Sequence, residues 1–213
     1  MKGIYLVTDQ ASCKHFPLET VVEKAMTAGI ACVQLREKTL DTRGFLARAL
    51  TLMALLKPAA IPLIINDRVD IALAAGADGV HIGQSDMPYT LARKLLGPSK
   101  IIGLSVETWE DVVAAQEMDL DYIGVSPVFA TPTKTDTKTP WGLEGLSRIK
   151  GYSRHPLVAI GGLNAMNLSQ AVLAGADAVA VVSAICSARD PFASAQTLCA
   201  HFKHTSVSQE IHP

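Results

Sequence analysis

"IINDRVDIALAAGADGVHIGQSD", residues 64–86, holds one full turn of the architecture of this chain. The apolar run 61–65 ends abruptly in Asn66-Asp67. A helical stretch follows and ends on alanine at Gly76, where a residue without a Cβ can turn left-handed and stop the helix. A second short apolar run, 80–82, then begins and ends in Gly83-Gln84-Ser85-Asp86. The same logic recurs in TAGIACVQL (27–35) and LAGADAVAV (173–181), and EMDLDYIGV (117–125) is a variant without the glycine. Each stretch reads as half of a strand–helix–strand unit.

Working outward, short β-rich runs are expected at 3–7, 31–35, 61–65, 79–82, 101–104, 122–125, 157–160 and 178–182. Helical periodicity lies between them, at 42–56, 87–96, 109–117 and 165–173. Strands alternating with helices imply parallel pairing through right-handed crossovers. Eight such units in 213 residues fit a single (β/α)8 TIM barrel with eight parallel strands. An open doubly wound sheet is the alternative, but no G-x-G-x-x-G follows the first strand. With no linker in sight, residues 1–203 are expected to form one catalytic barrel, and the polar segment 204–213 a loose tail.

Composition narrows the function. Hydrophobic residues make up 49% of the chain, enough for a sizeable core. A formal net charge of −1 argues against nucleic-acid binding through overall charge. The four cysteines, Cys13, Cys32, Cys186 and Cys199, include no C-x-x-C pair, so neither a thiolate metal site nor a redox motif is expected. The first apolar run is too short for a signal-peptide core, and no run approaches the ~18 residues of a membrane span. A reducing cytoplasm, without membrane or nucleic-acid partners, fits best.

The barrel reading sorts the carboxylates by face. Asp78 and Asp177 precede their strands and belong to the bottom rim as turn and capping residues. Asp70 belongs to a helix and to solvent. Asp67 and Asp86 follow strands three and four and stand on the top rim, where barrel active sites are built. Helix capping would explain either one alone. As a pair on adjacent strand ends they can share a hard cation, and Mg²⁺ is typically held by one or two carboxylates plus substrate phosphates.

Phosphate handles cluster at the same rim. Arg36 and Lys38 follow strand two on one side of an extended segment. The long Thr-, Lys- and Pro-rich loop 126–142 offers Thr131, Thr133 and Lys134. Gly161-Gly162 after strand seven and Val182-Ser183 after strand eight occupy the recurrent phosphate site of such barrels, where backbone N–H groups can close on an anion. Two anion sites result, one suited to a metal-bound diphosphate and one to a monophosphate. No cysteine sits at a strand end beside a histidine, and His81, within strand four, reads as packed or hydrogen-bonded.

The segments YLVTD, VQLREK, INDRVDIALAAGADGVHIGQSDMP, IIGLSV, YIGVSPVFATPTK, AIGGL and AVAVVSAI together resemble the thiamine phosphate synthase family, in order, from Tyr5 to about Cys186. The resemblance implies a transferase that joins 4-amino-2-methyl-5-pyrimidinylmethyl diphosphate to a hydroxyethylthiazole phosphate, releasing diphosphate through a dissociative, carbocation-like path. It places Gln34, Leu35, Arg36, Glu37, Lys38, Asn66, Ser105 and Lys134 on the pyrimidine diphosphate, and Thr131, Pro132, Thr133, Gly162, Val182 and Ser183 on the thiazole phosphate. Asp67 and Asp86 would bind Mg²⁺, and Lys134, Arg36 and Ser105 would serve catalysis. The two small molecules are the expected partners, and a homo-oligomer is left open. Lys138 and Trp141 receive no role. A related barrel that only isomerises the thiazole phosphate would not need Arg36, Lys38, Asp67, Asp86 and Lys134 together, and a regulator that binds thiazole phosphate would need no chemistry. A Schiff-base aldolase would want a lysine within strand six, YIGV, which has none.

Overall fold

The computed structural model describes residues 2–131 and 138–211. Among these, eight parallel strands pair in chain order and close into a barrel. They are β1 (Gly3–Val7), β2 (Cys32–Leu35), β3 (Leu63–Asn66), β4 (Gly79–Ile82), β5 (Ile101–Val106), β6 (Tyr122–Val125), β7 (Leu157–Ile160) and β8 (Ala178–Val181). Nine helices surround them among the described residues: α1 (Leu18–Thr27), α2 (Thr42–Leu56), α3 (Val69–Ala75), α4 (Tyr89–Leu96), α5 (Trp109–Ala115), α6 (Gly142–Tyr152), α7 (Leu168–Leu173), α8 (Ser183–Cys186) and α9 (Pro191–Ile211). β1 meets β8 with Tyr5 opposite Ala180, so no sheet edge is left open.

The strands read as unbroken apolar runs because both of their faces are buried. Alternate residues divide into two cores. Tyr5, Val7, Cys32, Ile64, Tyr122, Val158, Ala178 and Ala180 fill the barrel interior. Ile4, Leu6, Val33, Leu35, Leu63, Ile65, Val80 and Ile82 face the helices in the larger outer core. Each such aliphatic side chain contributes about 1.5–3 kcal/mol on burial. The predicted glycine stop is present: Gly76 closes α3 at φ 67° and ψ 23°.

The bottom-rim aspartates have the structural role expected of them. Asp78 donates its N–H to the Leu63 carbonyl, and its carboxylate accepts the Leu63 N–H at 2.9 Å. Asp177 does the same to Leu157 at 2.8 Å. Asp121, in the repeat without glycine, does it to Ile102 at 2.8 Å. The carboxylate thus satisfies an N–H at the start of the preceding strand.

Element ends differ from the sequence expectation where proline or a turn intervenes. β3 begins at Leu63 rather than Ile61, since Pro62 has no N–H for the ladder. Pro88 stands at the N-terminal cap of α4, moving its start from Met87 to Tyr89. Before α7, residues 165–167 form a turn held by Asn167, whose side chain accepts the Asn164 N–H at 2.8 Å.

The tail expected to be loose from 204 is instead continuous with α9, which runs on to Ile211. Ala195, Leu198, Cys199 and Phe202 are buried at helical spacing. Thr205 extends that stripe, 8% exposed, and its hydroxyl donates to Ser169 Oγ at 3.0 Å. Its polar composition hid a buried face. No helix among the described residues is long and apolar enough to cross a membrane.

Candidate active site

The segment leaving β2 alternates sides as it crosses the rim. Gln34, Arg36 and Lys38 line a cavity of about 990 Å³ at the strand C-terminal ends. Leu35 and Glu37, expected beside them, do not line it. Leu35 is fully buried against the helices. The Glu37 side chain is 3% exposed and pairs with Arg48 at 2.7 Å. It also accepts from Lys38 N, Thr39 N and Thr39 Oγ1 at 3.0–3.1 Å. The period of two in an extended chain is the reason: neighbours cannot face one cavity.

Burial raises the Glu37 carboxyl, but the Thr39 and Lys38 hydrogen bonds and the Arg48 charge outweigh it and hold the group below the ordinary carboxylate range. A depressed native pKa gives stability that is present above the unfolded value and lost as pH falls through the native value. Glu37→Gln is therefore expected to cost about 1.5–3 kcal/mol at neutral pH, by removing the buried carboxylate from Arg48 and leaving it only Glu19 at 3.3 Å. Urea melts should show the gap between the proteins closing as pH falls through the depressed Glu37 value. A gap that stays constant with pH would refute the charge argument.

Arg36 reaches back to Asp9 at 3.3 Å, and its N–H donates to Thr8 Oγ1 at 3.1 Å. Asp9 also accepts from Ser12 N at 3.0 Å and Ser12 Oγ at 2.6 Å. It aims the guanidinium along the rim, a role with no signal in sequence, since capping explains an aspartate there equally well. Lys38 pairs with Asp67. With Lys38 52% exposed, this pair is worth at most about 1 kcal/mol and yields easily to a ligand.

Asp67 and Asp86 both line the cavity. Neither caps a helix: the cap positions of α3 and α4 are Arg68 and Pro88. Asp67 is left-handed, at φ 62°, a conformation Asp tolerates better than most residues, and its N–H donates to the His81 carbonyl at 2.8 Å. Asp86 accepts the Gly83 N–H at 2.6 Å. Burial raises the Asp86 carboxyl, the Gly83 bond opposes this, and Asp67, within hydrogen-bonding reach, raises it further. Two carboxylates forced this close favour a shared proton or a shared cation. Among the described residues they are not part of any cluster of three or more carboxylate, thiol or imidazole groups. The pair suits a hard cation that takes its remaining oxygens from substrate and water.

Behind this rim the barrel interior carries one polar chain. Gln34 Nε2 donates to Tyr5 Oη at 2.9 Å, and Tyr5 and Tyr122 hydroxyls meet at 2.9 Å. His81 Nδ1 lies 3.0 Å from Tyr122 Oη, and its Nε2 lies 2.8 Å from Ser105 Oγ. The His81 ring also stacks on Tyr122, with centroids 5.5 Å apart. Burial pushes both phenols well above their usual range, so they remain protonated and link the chain by hydroxyl bonds. Ser105 is therefore oriented from inside, and Asn66 lines the cavity near it, 8% exposed. The two tyrosines could not be found by pattern, because each reads as one more apolar strand residue.

Across the cavity stand Thr131, Gly161, Gly162, Val182 and Ser183. Gly162 has φ 65°, and a Cβ there would lie 2.8 Å from both the Ala130 carbonyl oxygen and Phe129 Cβ. Its carbonyl accepts from Asn167 Nδ2 at 2.9 Å. Val182 turns the chain out of β8, and Ser183 opens α8. Lys138, given no role from sequence, lines the cavity too. Trp141 instead packs against the outer core, its backbone N–H donated to the Pro127 carbonyl at 2.9 Å. Pro132, Thr133 and Lys134 lie outside the described residues.

Comparison with known proteins gives a consistent picture. A family model described as thiamine monophosphate synthase matches residues 4–185. The thiamine-phosphate synthase of Albidiferax ferrireducens is 58% identical over 195 residues, covering 92% of this chain and 89% of that protein. That of Leptospira biflexa is 52% identical, covering 90% and 93%. The solved structure of thiamine phosphate pyrophosphorylase from Pyrococcus furiosus superposes with a TM-score of 0.87 at 34% identity, covering 95% of this chain and 96% of that one.

Proposed function

Since the chain belongs to the thiamine monophosphate synthase family, we propose that it joins a pyrimidinylmethyl diphosphate to a thiazole phosphate, forming thiamine phosphate and releasing diphosphate. The observation that carries this reading is one cavity with two unlike walls. A carboxylate pair flanked by Arg36 and Lys38 faces a glycine turn and the start of α8.

The diphosphate would rest against Arg36 and Lys38, with Lys134 as the further cation that the family resemblance implies. Asp67 and Asp86 would hold Mg²⁺, which neutralises leaving-group charge when bound. The cationic side chains would act in the same sense, opposing the negative charge that accumulates as the C–O bond lengthens. Gln34, Asn66 and Ser105 would orient the aminopyrimidine, whose electron-rich ring can stabilise a methylene cation. Ser105 can do so without conformational search, because His81 already fixes its hydroxyl. Gly162, Val182 and Ser183 would hold the monophosphate, with Thr131, Pro132 and Thr133 between the substrates. The thiazole nitrogen is then presented to the cation, and holding both partners replaces a bimolecular encounter. No covalent nucleophile is required. The barrel acts as one catalytic unit on small molecules in the cytoplasm, with no nucleic-acid or membrane partner.

The test is direct. The purified protein, given both substrates and Mg²⁺, is expected to produce thiamine phosphate and diphosphate in equal amounts, and an excess of chelator should abolish the product. Isomerisation of the thiazole phosphate without coupling would overturn the reading.

A further inference from the structure

The fold brings together two cysteines that lie near opposite ends of the sequence. Cys13 follows the turn 10–12 after β1, and Cys186 ends α8 after β8. Because β1 and β8 are paired strands, the segments leaving them run side by side. Ser187 Oγ donates to the Ser12 carbonyl at 3.1 Å, tying the residues next to each cysteine. Cys186 Sγ sits 3.9 Å from the Val7 carbonyl, beneath the Cys13 turn. α8, which carries Cys186, packs against the turn 10–12 that leads into Cys13. Each thiol is the strongest influence on the other, holding Cys13 below the usual thiol range and pushing Cys186 above it. Cys13 is half-buried, while Cys186 is 1% exposed. One sulfur is reachable from solvent and the other waits behind it. Cys32, by contrast, points into the barrel interior, and Cys199, on α9, packs in the outer core.

From this juxtaposition we propose that Cys13 and Cys186 form an oxidisable pair that closes into an intramolecular disulfide across the β1–β8 seam when the protein meets a peroxide. The Cys13 thiolate attacks one peroxide oxygen, the O–O bond breaks, and the products are a Cys13 sulfenic acid and hydroxide, which becomes water with the proton that Cys13 gave up. The Cys186 sulfur then attacks the Cys13 sulfur, the S–O bond breaks, and the departing hydroxide leaves as water with the Cys186 proton. Two thiols lose two electrons, and one hydrogen peroxide becomes two waters. The link closes a loop of about 170 residues, nearly the whole barrel, and a loop that long strongly restricts the unfolded chain. It also tethers α8, whose first residue, Ser183, lines the cavity.

The experiment treats the full-length reduced protein with one equivalent of hydrogen peroxide, then measures intact mass, alkylatable thiols, linked peptides and melting temperature. The expected product is lighter by about 2 Da, with peptides containing Cys13 and Cys186 joined and the change reversed by dithiothreitol. Its melting temperature rises by on the order of 10 °C. Cys13→Ser should not give the lighter species. Cys186→Ser should instead gain about 16 or 32 Da at Cys13, because its sulfenic acid has no resolving thiol. Wild-type protein that oxidises Cys13 to the sulfinic acid without mass loss, or that links through Cys32, Cys199 or a second chain, would overturn the proposal.

Discussion

Asp86→Asn is expected to lower kcat/KM for the pyrimidine diphosphate about 10²–10³-fold, while the affinity for thiazole phosphate changes less than about twofold. The substitution isolates charge from geometry. Asparagine keeps an oxygen where Asp86 accepts the Gly83 N–H at 2.6 Å, so the loop after β4 retains its bond. What disappears is one of two neighbouring carboxylates, a charge disfavoured first by burial and then by Asp67. With the crowding relieved, the ligand-free protein should be no less stable, and only cation-dependent steps should suffer. The variant should also need more Mg²⁺ to reach half its own maximal rate. Steady-state kinetics over a Mg²⁺ titration, with calorimetry of thiazole phosphate alone, separates these effects. Wild-type turnover at the wild-type Mg²⁺ requirement would remove Asp86 from the proposed cation site.

Gly162→Val is expected to do the reverse, raising KM for thiazole phosphate on the order of 100-fold and leaving diphosphate binding within about twofold. Two physical terms act together. Gly162 sits at φ 65°, where a β-branched residue is a genuine outlier. Its Cβ would lie 2.8 Å from the Ala130 carbonyl oxygen, and a backbone oxygen has little freedom to withdraw. The turn must therefore shift, and its backbone N–H groups, proposed to hold the monophosphate, move with it. Charge-assisted bonds of that kind are worth about 1.5–3 kcal/mol each, so losing one or two accounts for the expected factor. Gly162→Ala meets the same φ and the same close atoms with less bulk, and should fall between wild type and valine. Circular dichroism checks that both variants fold. Equal loss of both substrates in a folded variant would mean that the cavity holds one anion site rather than two.

Much of this site is legible in the chain itself. The alternation in 64–86 places Asp67 and Asp86 at consecutive strand ends, and the barrel is the arrangement that makes strand ends neighbours. Arg36 and Lys38 follow from the period of two, and the same period excludes Leu35 and Glu37. Extending the site to every residue of 34–38 overlooked it. Thr133 and Lys134 rest on loop composition and family resemblance, and Pro132 on the resemblance, all three outside the described residues.

The sequence by itself determined the repeating unit, its number and the rim on which charge collects. These are encoded locally, in hydrophobic period, in glycine at a helix end and in polar residues after a strand. Tertiary structure alone decided which distant groups touch. The Gln34–Tyr5–Tyr122–His81–Ser105 chain joins strands one, two, four, five and six across the barrel interior. Thr205 reaches Ser169, and Ser187 reaches Ser12, by the same logic of closure. No local pattern encodes such pairs. The stagger of the closed barrel sets them, and that stagger is the joint outcome of every strand pairing and every packed helix.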